Sequence, residues 1–224
     1  MSISVRIGLV SLVALLILAF VGYGALLRLN VLPRLAFAPG WVLTDQFGER
    51  FTSEDLRGAI TLYTFDYSAN EDPRRQTHDL MSDVQNQLAK QDLGDVPVRL
   101  VTVTIDPTRD TPDILRTVGE ERNVDFSRWT FATGDSASIR VAVNHGFGVY
   151  YEPGPDGGVS YDPTFIIVDG MGIERARYRY GLPSVDNVVD DLLSVVSEAQ
   201  AATGSARLAY EAAHLFSCYS TTPS

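Results

Sequence analysis

The feature that most constrains this chain runs from Tyr63 to Arg75: an apolar, β-prone run (Ile60 to Phe65) enters a short loop, and a helix follows. Asp72 is a good helix N-cap. Pro73 suits the first helical position, where its missing N–H would have had no partner. A strand that feeds a helix N-terminus through a tight loop is a place where a thiol would be acidified by the helix dipole. This loop contains no cysteine.

The cysteine count narrows the chemistry further. Cys218, near the C-terminus, is the only cysteine, so neither an internal disulfide nor a CxxC or CxxxC dithiol can form. Charge narrows the partners. Arg6, Arg28 and Arg34 all precede the first acid, Asp45, so 15 of the 18 basic residues face all 28 acids. Such a domain repels nucleic acid and anionic headgroups, and no nucleic-acid partner is expected. The Glu152–Gly158 stretch is a proline-rich turn rather than a phosphate-binding glycine loop. No cofactor and no small-molecule substrate are expected.

Ile7 to Leu27 is about 21 uncharged residues, enough to span a bilayer. A signal peptide is the rival reading. The length of the apolar core and the lack of a small-x-small cleavage site favour an uncleaved anchor within residues 1–28. The flanking arginines do not decide its orientation. Residues 29–40, with Pro33 and Pro39, read as a linker. A domain spans 41–200. It opens with a hairpin (Trp41 to Thr52, turn at Asp45 to Gly48) and a short helical turn at Ser53–Leu56. Next come a central strand, a helix from Pro73 to about Gln91 and a second buried strand at Val98–Ile105. A helix opened by Asp110-Thr111-Pro112 follows, carrying Ile114, Leu115 and Val118. After it come a strand at Trp129–Ala132, a helix from Ser136, strands around Tyr150–Tyr161, Thr164–Val168 and Ile173–Tyr180, and a helix at Val185–Ala199. Alternating strands and helices closed by a hairpin and a helix make a layered α/β domain. The 201–224 tail carries a short helical stripe of Leu208, Ala212, Leu215 and Phe216, which packs on its own domain or on a partner.

Several blocks resemble the SCO/SenC family, the membrane-anchored, thioredoxin-like copper-delivery proteins of cytochrome oxidase assembly. Val103-Thr-Ile-Asp-Pro-Thr-Arg-Asp-Thr-Pro resembles that family's S-x-D-P-x-R-D-T-P block. Trp129-Thr-Phe-Ala-Thr-Gly resembles its W-x-x-L-T-G block. Leu43-Thr-Asp-Gln-Phe-Gly with Phe51-Thr-Ser-Glu-Asp-Leu-Arg-Gly resembles its opening hairpin. The resemblance implies an α/β, thioredoxin-like (SCO-type) domain behind an N-terminal transmembrane helix. It also implies a bacterial inner-membrane protein with its domain in the periplasm.

The same resemblance places the family's two cysteine ligands at Asn70 and Arg74 and its histidine ligand at Tyr161, give or take one residue. None of the three is a ligand for Cu(I), which prefers thiolate, and Arg74 is a permanent cation. Pro163, in Asp162-Pro163-Thr164, is expected to be cis, as in thioredoxin-like folds of the TlpA kind. Asp106, Arg109 and Asp110 are expected to be architectural, with the two carboxylates and Arg109 forming an ion-pair cluster. His78 with Asp79 and Asp83 suggests a metal site only weakly, and a solvated helix face is the plainer reading. His145 ends a helix, His214 lies on the tail, and no two histidines have metal-ligand spacing. The expectation is therefore a non-catalytic domain, not an enzyme, that serves as an accessory or scaffold subunit of a respiratory or photosynthetic electron-transfer complex. Its partners would be the integral-membrane subunits of that complex, with the bilayer holding Ile7 to Leu27. The alternative is an oxidase assembly factor that still handles copper through unrecognised or shared ligands.

Overall fold

The computed structural model describes residues 12–17, 31–70, 76–154 and 158–201. The strands are β1 (Ala36–Phe37), β2 (Val42–Asp45), β3 (Arg50–Thr52), β4 (Ile60–Asp66), β5 (Val98–Thr104), β6 (Trp129–Thr133), β7 (Tyr151–Pro153), β8 (Val159–Tyr161), β9 (Phe165–Val168) and β10 (Ile173–Tyr178). The helices are α1 (Thr77–Leu88), α2 (Pro112–Glu121), α3 (Ser136–Arg140), which continues as a π-helical turn over Val141–Gly146, and α4 (Val185–Ala201). Eight strands form one sheet in the order β1-β10-β9-β4-β5-β6-β2-β3, and β7–β8 stands apart as a hairpin.

Strand β4 lies near the middle of this sheet, parallel to β5 and antiparallel to β9. All seven of its residues are buried. A strand covered on both faces must read as a continuous apolar run, and Ile60–Phe65 does. One face carries Leu80, Met81, Val84 and Leu88 of α1 against Val188, Leu192 and Val196 of α4. The other carries Trp41, Tyr63, Phe65, Ile139 and Phe147. The periodicity of α1 and α4 predicts these contacts. Ile114 of α2 does not follow it and is 40% exposed.

Two boundaries differ from the sequence reading. Helix α1 is described from Thr77, with Gln76 before it non-helical, and the buried Thr77 hydroxyl donates to Asp66 at the end of β4. Asp72 and Pro73 lie outside the described residues. The supposed linker over 29–40 is, from Val31 onward, part of the domain. Val31 is buried and Leu32 packs against the core. Strand β1 adds to the sheet edge through Ala36↔Glu174 and Phe37↔Ile173.

What holds this segment is Arg175, whose side chain is 2% exposed. Its guanidinium donates to Leu32 O at 2.7 Å and Pro33 O at 3.2 Å, and pairs with Asp169 at 3.2 Å and Glu198 at 2.6 Å. The planar fork satisfies two carboxylates and two carbonyls at once, as lysine could not. Residues 12–17 are helical and exposed, and the rest of Ile7–Leu27 lies outside the described residues. Among the described residues no helix is long and apolar enough to cross a membrane.

Arg175→Ala takes the cation from half-buried Asp169, and its closest cation from Glu198, which keeps Arg34 at 3.6 Å. It should cost about 3–5 kcal/mol, read as a lower urea midpoint of the purified chain. An unchanged midpoint would show that the clamp contributes nothing.

Candidate functional site

Strand β4 ends in Asp66, a carboxylate only 7% exposed. Its Oδ1 accepts from Tyr67 N at 2.8 Å, Asn70 Nδ2 at 2.9 Å and Tyr161 Oη at 2.8 Å, while Oδ2 accepts from Thr77 Oγ1. Asn70 Nδ2 also donates to Tyr161 Oη at 3.0 Å. Burial pushes the Asp66 carboxyl above its usual range, and the donors from Thr77, Tyr161, Tyr67 and Asn70 pull it partway back.

Asn70 and Tyr161, two of the positions the family resemblance assigns to metal ligands, are therefore brought together across 91 residues of sequence. Arg74, the third, lies outside the described residues. The amide of Asn70 and the phenol of Tyr161 are both bonded to a carboxylate. Neither is the soft donor that Cu(I) prefers, so the residues described do not fit that ion.

Asp110 is a second buried carboxylate, 0% exposed. It accepts from Ser68 N at 3.0 Å, from Ser68 Oγ, and from Thr104 Oγ1 at 2.6 Å. Its own carbonyl accepts from Thr133 Oγ1 at 2.7 Å. It thus ties the loop after β4 to the ends of β5 and β6. Thr111, directly before Pro112, caps α2: its hydroxyl accepts from Ile114 N at 3.5 Å. The expected ion-pair cluster is reduced to Asp106–Arg109 at 3.1 Å, because Asp110 turns inward.

No peptide bond is cis among the described residues, so Asp162–Pro163 is trans, against expectation. Trans is favoured by roughly 0.5–1 kcal/mol for an X–Pro bond unless the surroundings demand otherwise. Here Thr164 Oγ1 donates to Asp162 O at 3.1 Å and Thr64 Oγ1 to Thr164 O at 3.2 Å, which fixes the segment as it stands.

Beside the network lies a cavity of about 180 Å³, lined by Asp66, Ser68, His78, Thr104, Arg122 and Phe131 among others. His78 is not on a solvated helix face. Its ring lies 4.7 Å from that of Trp129 and 5.7 Å from that of Phe131. Its Nε2 is buried without a hydrogen bond among the described residues. Desolvation, helped by the charge of Arg122, holds its pKa down to about 3. Asp79 reaches Arg122 at 3.7 Å instead of joining His78. No group of three or more metal-ligating side chains occurs among the described residues. His214 and Cys218 lie outside them.

Sequence reasoning missed Asp66, Ser68, Thr77 and Thr104. The available signal was an acid closing a run of otherwise apolar strand residues, since such an acid must be buried with donors around it.

Comparison with known proteins gives one consistent picture. The family model SCO1/SenC matches residues 32–197. The SCO1 protein homolog of Bacillus subtilis is 26% identical over 160 residues, covering 69% of this chain and 78% of that protein. Among solved structures, BsSco, described as a member of the Sco family of cytochrome c oxidase assembly proteins, superposes with a TM-score of 0.65. It is 22% identical over 75% of this chain and 98% of that one. Copper-bound ScoI of Bradyrhizobium japonicum is 25% identical, with a TM-score of 0.57 over 70% of this chain and 98% of that one. These neighbours carry the thioredoxin-like fold read from the sequence.

His78 gives the site a pH signature. Its folded pKa, about 3, lies below the ~6.5 of an unfolded histidine, so on acidification the unfolded chain takes up the proton first. Stability is therefore lost as pH falls from about 6.5 towards 3. His78→Phe keeps the ring stacking but cannot titrate. Urea midpoints measured between pH 7 and 4 should show the wild type losing up to about 3 kcal/mol relative to this variant. Parallel pH profiles would contradict a buried neutral imidazole.

Proposed function

Given that this chain belongs to the SCO1/SenC family, we propose that it is a non-catalytic, membrane-anchored member with no copper site of the family's kind. It serves as an accessory or scaffold subunit of a respiratory or photosynthetic electron-transfer complex. The observation that supports this reading is the bonding of Asn70 and Tyr161 to each other and to Asp66. The frame that brings ligand positions together is kept. The groups standing there hold the loop after β4 in place, and their donor chemistry suits neither Cu(I) nor a dithiol couple. A domain that keeps its frame without that chemistry retains its surfaces as the functional part.

In this reading Ile7 to Leu27 crosses the bacterial inner membrane once and the domain stands in the periplasm. The integral-membrane subunits of the complex are the partners. A second reading, an oxidase assembly factor that handles copper through ligands shared with a partner, is favoured by the description of BsSco as belonging to a family of cytochrome c oxidase assembly proteins. It differs from the first in lifetime: an assembly factor leaves the finished complex.

Purification from native membranes in gentle detergent, through a C-terminal tag, separates the two. The first reading predicts stoichiometric recovery of oxidase, cytochrome or reaction-centre subunits by mass spectrometry. Recovery of the chain alone, or with only traces of incomplete complexes, would contradict a subunit role.

A further inference from the structure

The described domain begins almost at once after the apolar segment. Val31 is buried only four residues beyond Leu27. Four residues span at most about 14 Å even when fully extended. The domain face around Val31 is thus leashed within about two headgroup layers of wherever Ile7–Leu27 ends.

That face is one end of the domain. Arg175 clamps Leu32 and Pro33 to Glu198, near the C-terminal end of α4, and to Asp169 in the turn between β9 and β10. The same turn packs on the start of β4: Gly58 N donates to Gly170 O at 2.9 Å, and a Cβ on Gly170 would lie 3.1 Å from the Gly58 backbone. The Asp66 network sits at the other end of β4, about 20 Å away at the rise of an extended strand.

The leashed end is also the part of the surface suited to lipid. Leu35 (52% exposed), Phe37 (83%) and Met171 (66%) cluster along β1 and the β9–β10 turn, where Ala38 N donates to Gly172 O at 2.9 Å. In a chain of formal charge −10, the acids bordering this patch are each matched by an arginine. Glu54 pairs with Arg57 at 3.3 Å, Asp169 with Arg175 at 3.2 Å, Glu198 with Arg175 and with Arg34 at 3.6 Å, and Glu174 with Arg177, so four acids meet four arginines. Local neutrality and exposed apolar side chains fit the interfacial layer of a bilayer, whereas the unbalanced acids elsewhere do not.

We propose that the Leu35–Phe37–Met171 end of the domain rests on the bilayer that holds Ile7–Leu27, and that the Asp66–Asn70–Tyr161 end points away from it. The proposal rests on the membrane attachment proposed above and adds an orientation to it. Because Arg175 docks the segment after Val31, the domain has no free hinge through 31–37 with which to turn over. A partner meeting the loop after β4 then approaches from the aqueous side.

The test uses the full chain in a Cys218→Ser background, reconstituted into phosphatidylcholine–phosphatidylglycerol vesicles and recovered by flotation. A nitroxide is attached through Met171→Cys, through Phe37→Cys, or through Glu152→Cys near the other end. Collision with dissolved oxygen, which concentrates in lipid, is compared with collision with an aqueous nickel chelate. Labels at positions 171 and 37 should be severalfold more accessible to oxygen than to the chelate, and the label at 152 the reverse. Equal chelate access at all three positions in floated protein would overturn the orientation and leave the anchor standing. Failure of the chain to float would overturn both.

Discussion

The carboxylate of Asp66 is the constraint on which the site end of this domain depends. It terminates a strand buried along its whole length and is itself buried, so its desolvation must be offset locally. An unpaired charge there would cost several kcal/mol. Four donors meet it: one from the backbone of the next residue, one from Asn70, one from the first helical residue Thr77, and one from Tyr161 on a distant strand. Hydrogen bonds to a charged group contribute about 1.5–3 kcal/mol each, so the set offsets part of the burial, which still holds the carboxyl above its usual range. Satisfying this one group fixes the turn after β4, sets the start of α1 and pins β8 against the loop. Asp110 does the same for Ser68 and Thr104, and the two carboxylates together hold Tyr67, Ser68 and Asn70.

Arg175 plays the complementary part at the opposite end. One guanidinium joins the segment before β1, the β9–β10 turn and the end of α4. The two hubs divide the molecule. One end is organised around buried acids and brings Asn70 and Tyr161 together. The other is organised around a buried base and receives the chain from its apolar N-terminal segment. Between them lies an ordinary apolar sandwich, with α1 and α4 on one side of the sheet and α3, Trp41 and Phe147 on the other.

The apolar sandwich was legible because periodicity reports burial directly. The runs at Ile60–Phe65 and Val98–Ile105 became β4 and β5, and the stripe Leu80, Met81, Val84, Leu88 faces the core. The family blocks placed Asn70 and Tyr161 near each other, and they are. The inward turn of Asp110 and the Arg175 hub were not legible. Asp110 in Asp110-Thr111-Pro112 reads locally as part of a helix cap, and only its contact with Ser68, 42 residues away, turns it inward. Residues 29–40 carry two prolines and read as a linker, but Arg175, more than 140 positions on, binds their carbonyls. His78 lies between polar neighbours in sequence, and its aromatic bed of Trp129 and Phe131 comes from β6. Each miss is a polar group whose partner is distant, which no local pattern encodes. Pro163 shows the reverse: a cis bond implied by resemblance, where the peptide bond is trans.

On the proposed reading, the frame of a ligand site persists here while a hydrogen-bonded network of Asp66, Asn70 and Tyr161 stands where the donors would be. The most direct test of that reading restores the donors. Anaerobic Cu(I) titration against a strong chelator should find no tight stoichiometric binding by the wild-type chain. It should find one ion per chain for the triple variant Asn70→Cys, Arg74→Cys, Tyr161→His. Tight stoichiometric binding by the wild type, or none by a folded triple variant, would contradict the account.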